Sequence, residues 1–223
     1  MGHHDPDSIP AMDKAMDLLK RGQAAEAEGV LQRAIEVTRR DHGVDSLPHA
    51  SALNDLGNFL MAVGQTEGAI QALQEACRYE FPNHEQGTRE RLTYLWNLGE
   101  ALKRNGQLSE AEDAIRLSVQ GRERFYGREH AGFAFGLMPL AQVLLEQGRL
   151  PEAEQVILEV VDNFHLNRHP WLLRAIAVRA EILKARRADY PVFADVQSLP
   201  DEQIAELAQN VIERISVSEP RLV

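Results

Sequence analysis

The chain is poor in several residue types, and each shortage removes a class of explanation. Among 223 residues there is one cysteine, Cys77. An internal disulfide and a paired-cysteine metal or redox motif are therefore excluded, and a reducing, cytoplasmic setting is expected. Cys77 itself reads as a small buried hydrophobe. No apolar run approaches the roughly 18 residues of a membrane span, so no membrane partner is expected. Met1 to Arg21 is interrupted by charges and proline, unlike the apolar core of a secretory leader. Basic residues are in the minority, 24 Lys and Arg against 34 Asp and Glu, with a net charge of −10. Such a surface repels phosphate backbones, so nucleic acid is not an expected partner, whereas a basic or neutral protein is. Aromatics make up only 6% of the chain although hydrophobic residues reach 44%. The core must then be built from Ala and Leu, as in close helix packing. No phosphate-binding loop, Gly-x-Ser-x-Gly or other catalytic signature is present. His165 and His169 are four apart, but Pro170 follows and the stretch reads as a loop with no third ligand. No metal, cofactor or enzymatic activity is expected.

What is present is periodic. Gly22, Gly64, Gly106 and Gly148 each stand 42 residues from the next. Each follows a helical pattern and precedes another, so each reads as the stop of one helix and the turn into its partner. The stretch Asn105-Gly106-Gln107-Leu108-Ser109-Glu110-Ala111-Glu112 is representative. Its Ser109 and Glu112 have capping-box spacing, which predicts Ser109 as the N-cap of the return helix. Pro48 and Pro151 suit helix starts. Pro139 falls inside a helical pattern that also holds Gly132 and Gly136, which predicts a kink or a frayed first half.

Aligned on the turn glycines, the columns repeat in kind. Four residues before the turn stand Leu18, Leu60, Leu102 and Leu144; seven before, Ala15, Gly57, Gly99 and Ala141. Five after stand Ala27, Ala69, Ala111 and Ala153; nine after, Leu31, Leu73, Ile115 and Ile157. The small columns let the two helices of a pair approach closely, and the large aliphatics are expected to fill the space between successive pairs. The first unit departs at Lys14 and Ala11, as a terminal repeat with a wet outer face should. A fifth unit begins at His169-Pro170. There the register must shift by three to put Ile176, Ala180 and Leu183 on one face.

These columns resemble the tetratricopeptide repeat, whose motif runs apolar-x-x-Leu-Gly and then small, aromatic and small positions. That family's period is about 34 residues. The longer period here, with Leu53-Asn54-Asp55-Leu56-Gly57 and Leu95-Trp96-Asn97-Leu98-Gly99, resembles the kinesin-light-chain-like branch. In that branch a His-Pro often separates repeats. His169-Pro170 matches, Pro48-His49 is inverted, and His84 and His130 keep only the histidine.

The resemblance implies an all-α, right-handed superhelical solenoid of antiparallel helix pairs. Residues 1–10 would be a flexible amino terminus and 11–188 about five 42-residue pairs; 189–200 would be an irregular connector, 201–216 a capping helix and 217–223 a tail. It also implies a non-enzymatic scaffold or adaptor whose first helices line a concave groove for an extended peptide or a partner helix. Carried over by register, the groove positions are Asn54, Asp55 and Asn58, then Trp96, Asn97, Glu100 and Arg104, then Gln142, and last Arg174 and Glu181.

Asn54, Asn58 and Asn97 weigh most among these. Asparagine is a mediocre helix former, and its amide can hold a peptide backbone through both donor and acceptor. The alternative is that these amides bond to an adjacent helix or to water. Trp96 reads as an interface anchor or as a packed core member. Lys103, Arg104, Arg174 and Lys184 could receive a partner's carboxylates, or could simply complement helix ends. A different reading is homo-oligomeric: the groove is idle and the convex or end surfaces self-associate, prompted by the apolar stretch Tyr190-Pro191-Val192-Phe193.

Overall fold

The computed structural model describes residues 10–81 and 84–186. Among the described residues the chain is wholly helical: α1 (Ala11–Lys20), α2 (Ala24–His42), α3 (Leu47–Ala62), α4 (Thr66–Cys77), α5 (Glu85–Arg104), α6 (Leu108–Tyr126), α7 (Ala131–Glu146), α8 (Leu150–Leu166) and α9 (Leu172–Arg186). They fall into two compact units, one ending at Phe125 and one beginning at Tyr126. In the first unit α1 packs on α2, α2 on α3, α3 on α4 and α4 on α5, while α1 touches α3 and α3 touches α5. In the second, α7 packs on α8, α8 on α9, and α7 touches α9. In both units, the first helices of successive pairs lie side by side. The connector, capping helix and tail expected beyond residue 188, and the stretch Tyr190 to Phe193, lie outside the described residues.

Each turn glycine does what its position predicts. Gly22, Gly64, Gly106 and Gly148 hold φ between 76° and 80°, a left-handed conformation closed to most side chains. The next residue then donates its N–H back to the leucine four before the glycine. Gln23 bonds Leu18, Gln65 bonds Leu60, Gln107 bonds Leu102 and Arg149 bonds Leu144, at 2.8–3.0 Å. That bond and the glycine's own bond to the third residue before it form a Schellman close. The same Gln23, Gln65, Gln107 and Arg149 carbonyls accept from Ala27, Ala69, Ala111 and Ala153 at 2.9–3.0 Å. One residue therefore ends the first helix and starts the second. This overturns the expected role of Ser109. The return helix α6 opens at Leu108, one residue before Ser109, and Glu112 accepts from Arg116 at 2.8 Å.

The small columns set how closely paired helices approach. Ala15, Ala27, Ala69, Ala111, Ala141 and Ala153 are all fully buried. A Cβ placed on Gly57 would stand 2.5 Å from Leu73 Cγ, and one on Gly99 would stand 2.3 Å from Ile115 Cγ1. The large aliphatics nine after the turn thus press onto the small residue of their own pair, a closer role than filling space between pairs. Later in the chain two expectations change. Helix α7 runs unbroken from Ala131 through a buried Pro139 to Glu146, so its first half is not frayed. In α9 the most buried residues are Ala175, Ile176, Val178 and Ile182, while Ala180 and Leu183 are only half-buried. Cys77 is half-buried beside Ala50, Leu53, Ala76 and Tyr94, and burial pushes its thiol up to about 12.

The end of α8 repeats the glycine turn without a glycine. Arg168 takes φ 49°, and His169 N–H closes onto Phe164 O at 2.8 Å. Left-handed backbone costs an L side chain roughly 1–2 kcal/mol, partly offset by the greater unfolded-state entropy of glycine. Arg168→Gly should therefore stabilise the chain by roughly 0.5–1 kcal/mol, and Gly106→Ala should destabilise it by a similar amount. Gly99→Ala should cost more, roughly 1–3 kcal/mol, because Ile115 must give way. Chemical denaturation of the three variants checks the order and the opposite signs.

Candidate partner-binding face

The residues assigned to a groove all lie on first helices. Asn54, Asp55 and Asn58 are on α3, and Trp96, Asn97, Glu100 and Arg104 on α5; Gln142 is on α7, and Arg174 and Glu181 on α9. In the first unit α3 and α5 are neighbours, and the structure joins their polar residues directly. Asn97 Nδ2 donates to Asn54 Oδ1 at 2.7 Å. Asn54 is only 8% exposed, and its amide favours the charged form of the neighbouring Asp55 carboxyl. These three side chains form a continuous polar row from α5 to α3. The two asparagines are thus bonded to each other across adjacent helices, which was the alternative to an open peptide clamp. Asn58 and Asn97 remain half-buried.

Asp55 is the electrostatic centre of this face. Its carboxyl is pushed up to about 6, first by burial and then by the like charges of Glu90 on α5 and Asp13 on α1, against the pull of the Asn54 hydrogen bond. Glu90 in turn accepts from the buried Tyr94 hydroxyl at 2.8 Å, and burial raises the Tyr94 phenol. The face between α1, α3 and α5 is therefore acidic around Asp55. One turn further along α5, Glu100 and Lys103 form a half-buried pair at 3.0 Å, so Lys103 is answered within its own helix. Arg104 is exposed and Trp96 half-buried.

In the second unit Gln142 and Glu181 are half-buried, on helices that touch. Arg174 is exposed and lies over Trp171, 4.8 Å from the ring centroid, a cation–π contact. The side chain of Lys184 lies outside the described residues. Sequence reasoning passed over Asp13, Glu90 and Tyr94 because none falls in a groove column. The Asn54–Asn97 bond had a signal, for the two are 43 apart, one period plus one residue. His165 is exposed on α8, whereas the His169 ring stacks on Phe164 with centroids 4.2 Å apart. Among the described residues no group of three His, Cys, Asp or Glu could hold a metal ion, and no helix is long and apolar enough to cross a membrane.

Comparisons with known proteins agree with this architecture. Three tetratricopeptide-repeat family models match residues 8–79, 91–132 and 134–159, together more than half of the chain. Among solved structures, a kinesin-light-chain protein of Podosopora anserina with nearly identical TPR-like repeats is 19% identical, with a TM-score of 0.70. That match covers 93% of this chain and 95% of the other. BtubC (BKLC) from P. vanneervenii is 16% identical over 94% of this chain and 81% of its own, also with a TM-score of 0.70. The apo form of RapI is 12% identical with a TM-score of 0.69, covering 92% of this chain and 53% of the other. No curated protein sequence matches the chain.

The polar row has a measurable energetic signature. Asn97→Ala strands a buried acceptor on Asn54 and should cost roughly 1–3 kcal/mol. Asn54→Ala with Asn97→Ala should cost less than the sum of the single changes, with a coupling of about 1 kcal/mol. A denaturation double-mutant cycle measures it, and strict additivity would deny the bond.

Proposed function

Because the chain belongs to the tetratricopeptide-repeat superfamily and resembles its kinesin-light-chain-like branch, we propose that it is a non-enzymatic scaffold that holds an extended protein segment against its first helices. Proteins of this superfamily are generally protein–protein interaction scaffolds. The observation that carries the reading is the row Asn97–Asn54–Asp55 laid across α5 and α3. Side chains on first helices are the ones a groove occupant meets. Asn97 and Asn54, already bonded to each other, present their remaining donors and acceptors in fixed directions. Little side-chain entropy then remains to be lost on binding, the advantage of preorganisation.

The occupant that suits this face is basic. Asp55 is surrounded by Glu90 and Asp13, and the charged groups that shift its titration are all acidic. A lysine or arginine of the partner would relieve that repulsion and restore the Asp55 carboxylate. Asn58, Trp96, Glu100, Arg104, Gln142, Arg174 and Glu181 are proposed as further contacts along the same series of helices. Trp96 supplies apolar area, and Glu100 with Lys103 supplies a second polar station.

Peptide display against the immobilised chain tests this. Extended sequences containing Lys or Arg should be enriched, and their affinity should fall about tenfold, or 1.4 kcal/mol, in Asp55→Asn. Binding should also weaken as pH drops through about 6, where Asp55 gains its proton. The effect on stability runs the other way. A carboxyl whose folded pKa is raised stabilises the fold at low pH, and that contribution is lost as pH rises through about 6. Asp55→Asn should therefore raise the melting midpoint at neutral pH while it weakens binding. Selected peptides indifferent to both the substitution and pH would sink the assignment.

A further inference from the structure

Histidine rings stand at or just ahead of the starts of three first helices, and in each the ring Nδ1 accepts a backbone N–H, from the third residue on at His84 and from the second at His130 and His169. His84 Nδ1 accepts the N–H of Gly87 at 2.9 Å at the start of α5. His130 Nδ1 accepts that of Gly132 at 2.9 Å at the start of α7. His169 Nδ1 accepts that of Trp171 at 3.2 Å, just ahead of α9. Two of these rings lie flat on an aromatic residue of the preceding helix. Tyr126 stacks on His130 with centroids 4.8 Å apart, and Phe164 on His169 at 4.2 Å. The second unit ties these joints together, because Asn163 and Asn167 of the α8 end donate to the Arg128 and Glu129 carbonyls at 2.8 and 2.9 Å.

An Nδ1 that accepts a hydrogen bond carries no proton, so each ring must be neutral with its hydrogen on Nε2. Protonation converts that nitrogen into a donor facing another donor. At His84 and His130, the N-caps of α5 and α7, it also places a cation at the positive end of a helix dipole, and both effects oppose the bond. We propose that His84, His130 and His169 together form an acid-sensitive device that fixes the starts of α5, α7 and α9 when neutral and releases them when protonated. Charged groups border each ring. Near His84 stand Glu85, paired with Arg89 at 3.0 Å, and Glu80, paired with Arg91 at 3.4 Å. Near His130 stand Glu129 and Arg128, the latter paired with Glu159 at 2.6 Å. Near His169 stand Arg168 and Arg174, the latter over Trp171. Burial alone lowers the His169 pKa from its ordinary value. His169 therefore contributes stability that is present above the unfolded value, near 6.5, and is lost as pH falls through its lower folded value.

The test compares the native chain with His84→Asn/His130→Asn/His169→Asn. Asparagine is a good N-cap and does not titrate. Between about pH 7.5 and 5.5 the native melting midpoint should fall relative to the variant by about 2–4 °C per lost cap. Asp55 titrates in both proteins and drops out of the difference. Parallel profiles would overturn the proposal. A nitrogen-15 titration of the native chain keeps the question open to refutation if the variant folds poorly. At about pH 7.5 the three rings should carry their hydrogen on Nε2, and the Gly87, Gly132 and Trp171 amide signals should move with the ring midpoints. A hydrogen on Nδ1, or amides that ignore the rings, would also overturn it.

Discussion

Each helix pair depends on a backbone bond only one residue beyond the turn glycine. The N–H of Gln23, Gln65, Gln107 or Arg149 returns to a leucine carbonyl of the first helix, while the same residue's carbonyl receives the first bond of the second helix. Helix ends normally leave several backbone groups to find partners elsewhere. Here two ends share one residue, and backbone bonds alone constrain the angle between the helices. Packing then completes what the turn begins. With the two axes fixed, Leu73 and Ile115 fall directly over Gly57 and Gly99, and only small residues can stand in that column.

This explains why the architecture was so legible in the sequence. A left-handed backbone position asks for glycine, a close approach asks for Ala or Gly, and each demand recurs once per period. Where a requirement can be met in several chemical ways, the sequence is less direct. Ser109 and Glu112 have the spacing of a capping box, yet the turn already supplies the helix start, and Glu112 pairs with Arg116. Arg168 occupies a left-handed position that glycine fills elsewhere, so no residue type announced that turn. The polar face was legible in location but not in arrangement. The register identified Asn54 and Asn97 as residues of first helices. That they bond to each other depends on the distance between neighbouring helices, which a single column does not express. Asp13 and Glu90 reach Asp55 from two different helices, a relation that only the packed unit contains.

The polar groups of the first unit thus serve the fold and the surface at once. Asn54 is buried and bonded, so it stabilises the contact between α3 and α5; the same bond orients the amides and the neighbouring carboxylate. Asp55 is held in a state that the fold alone does not favour. A half-buried carboxylate beside two others is strained electrostatically, and a cationic partner is the simplest relief. Under the proposed function, stability and recognition oppose each other at this residue and agree at Asn97.

The turn has a mechanical consequence. A pair closed by bonds one residue beyond its glycine has no slack, so a tug on the chain would be taken up elsewhere. Under tension each unit should pay out in lengths of one whole helix pair, as a hinged rule unfolds at its joints while its segments stay straight.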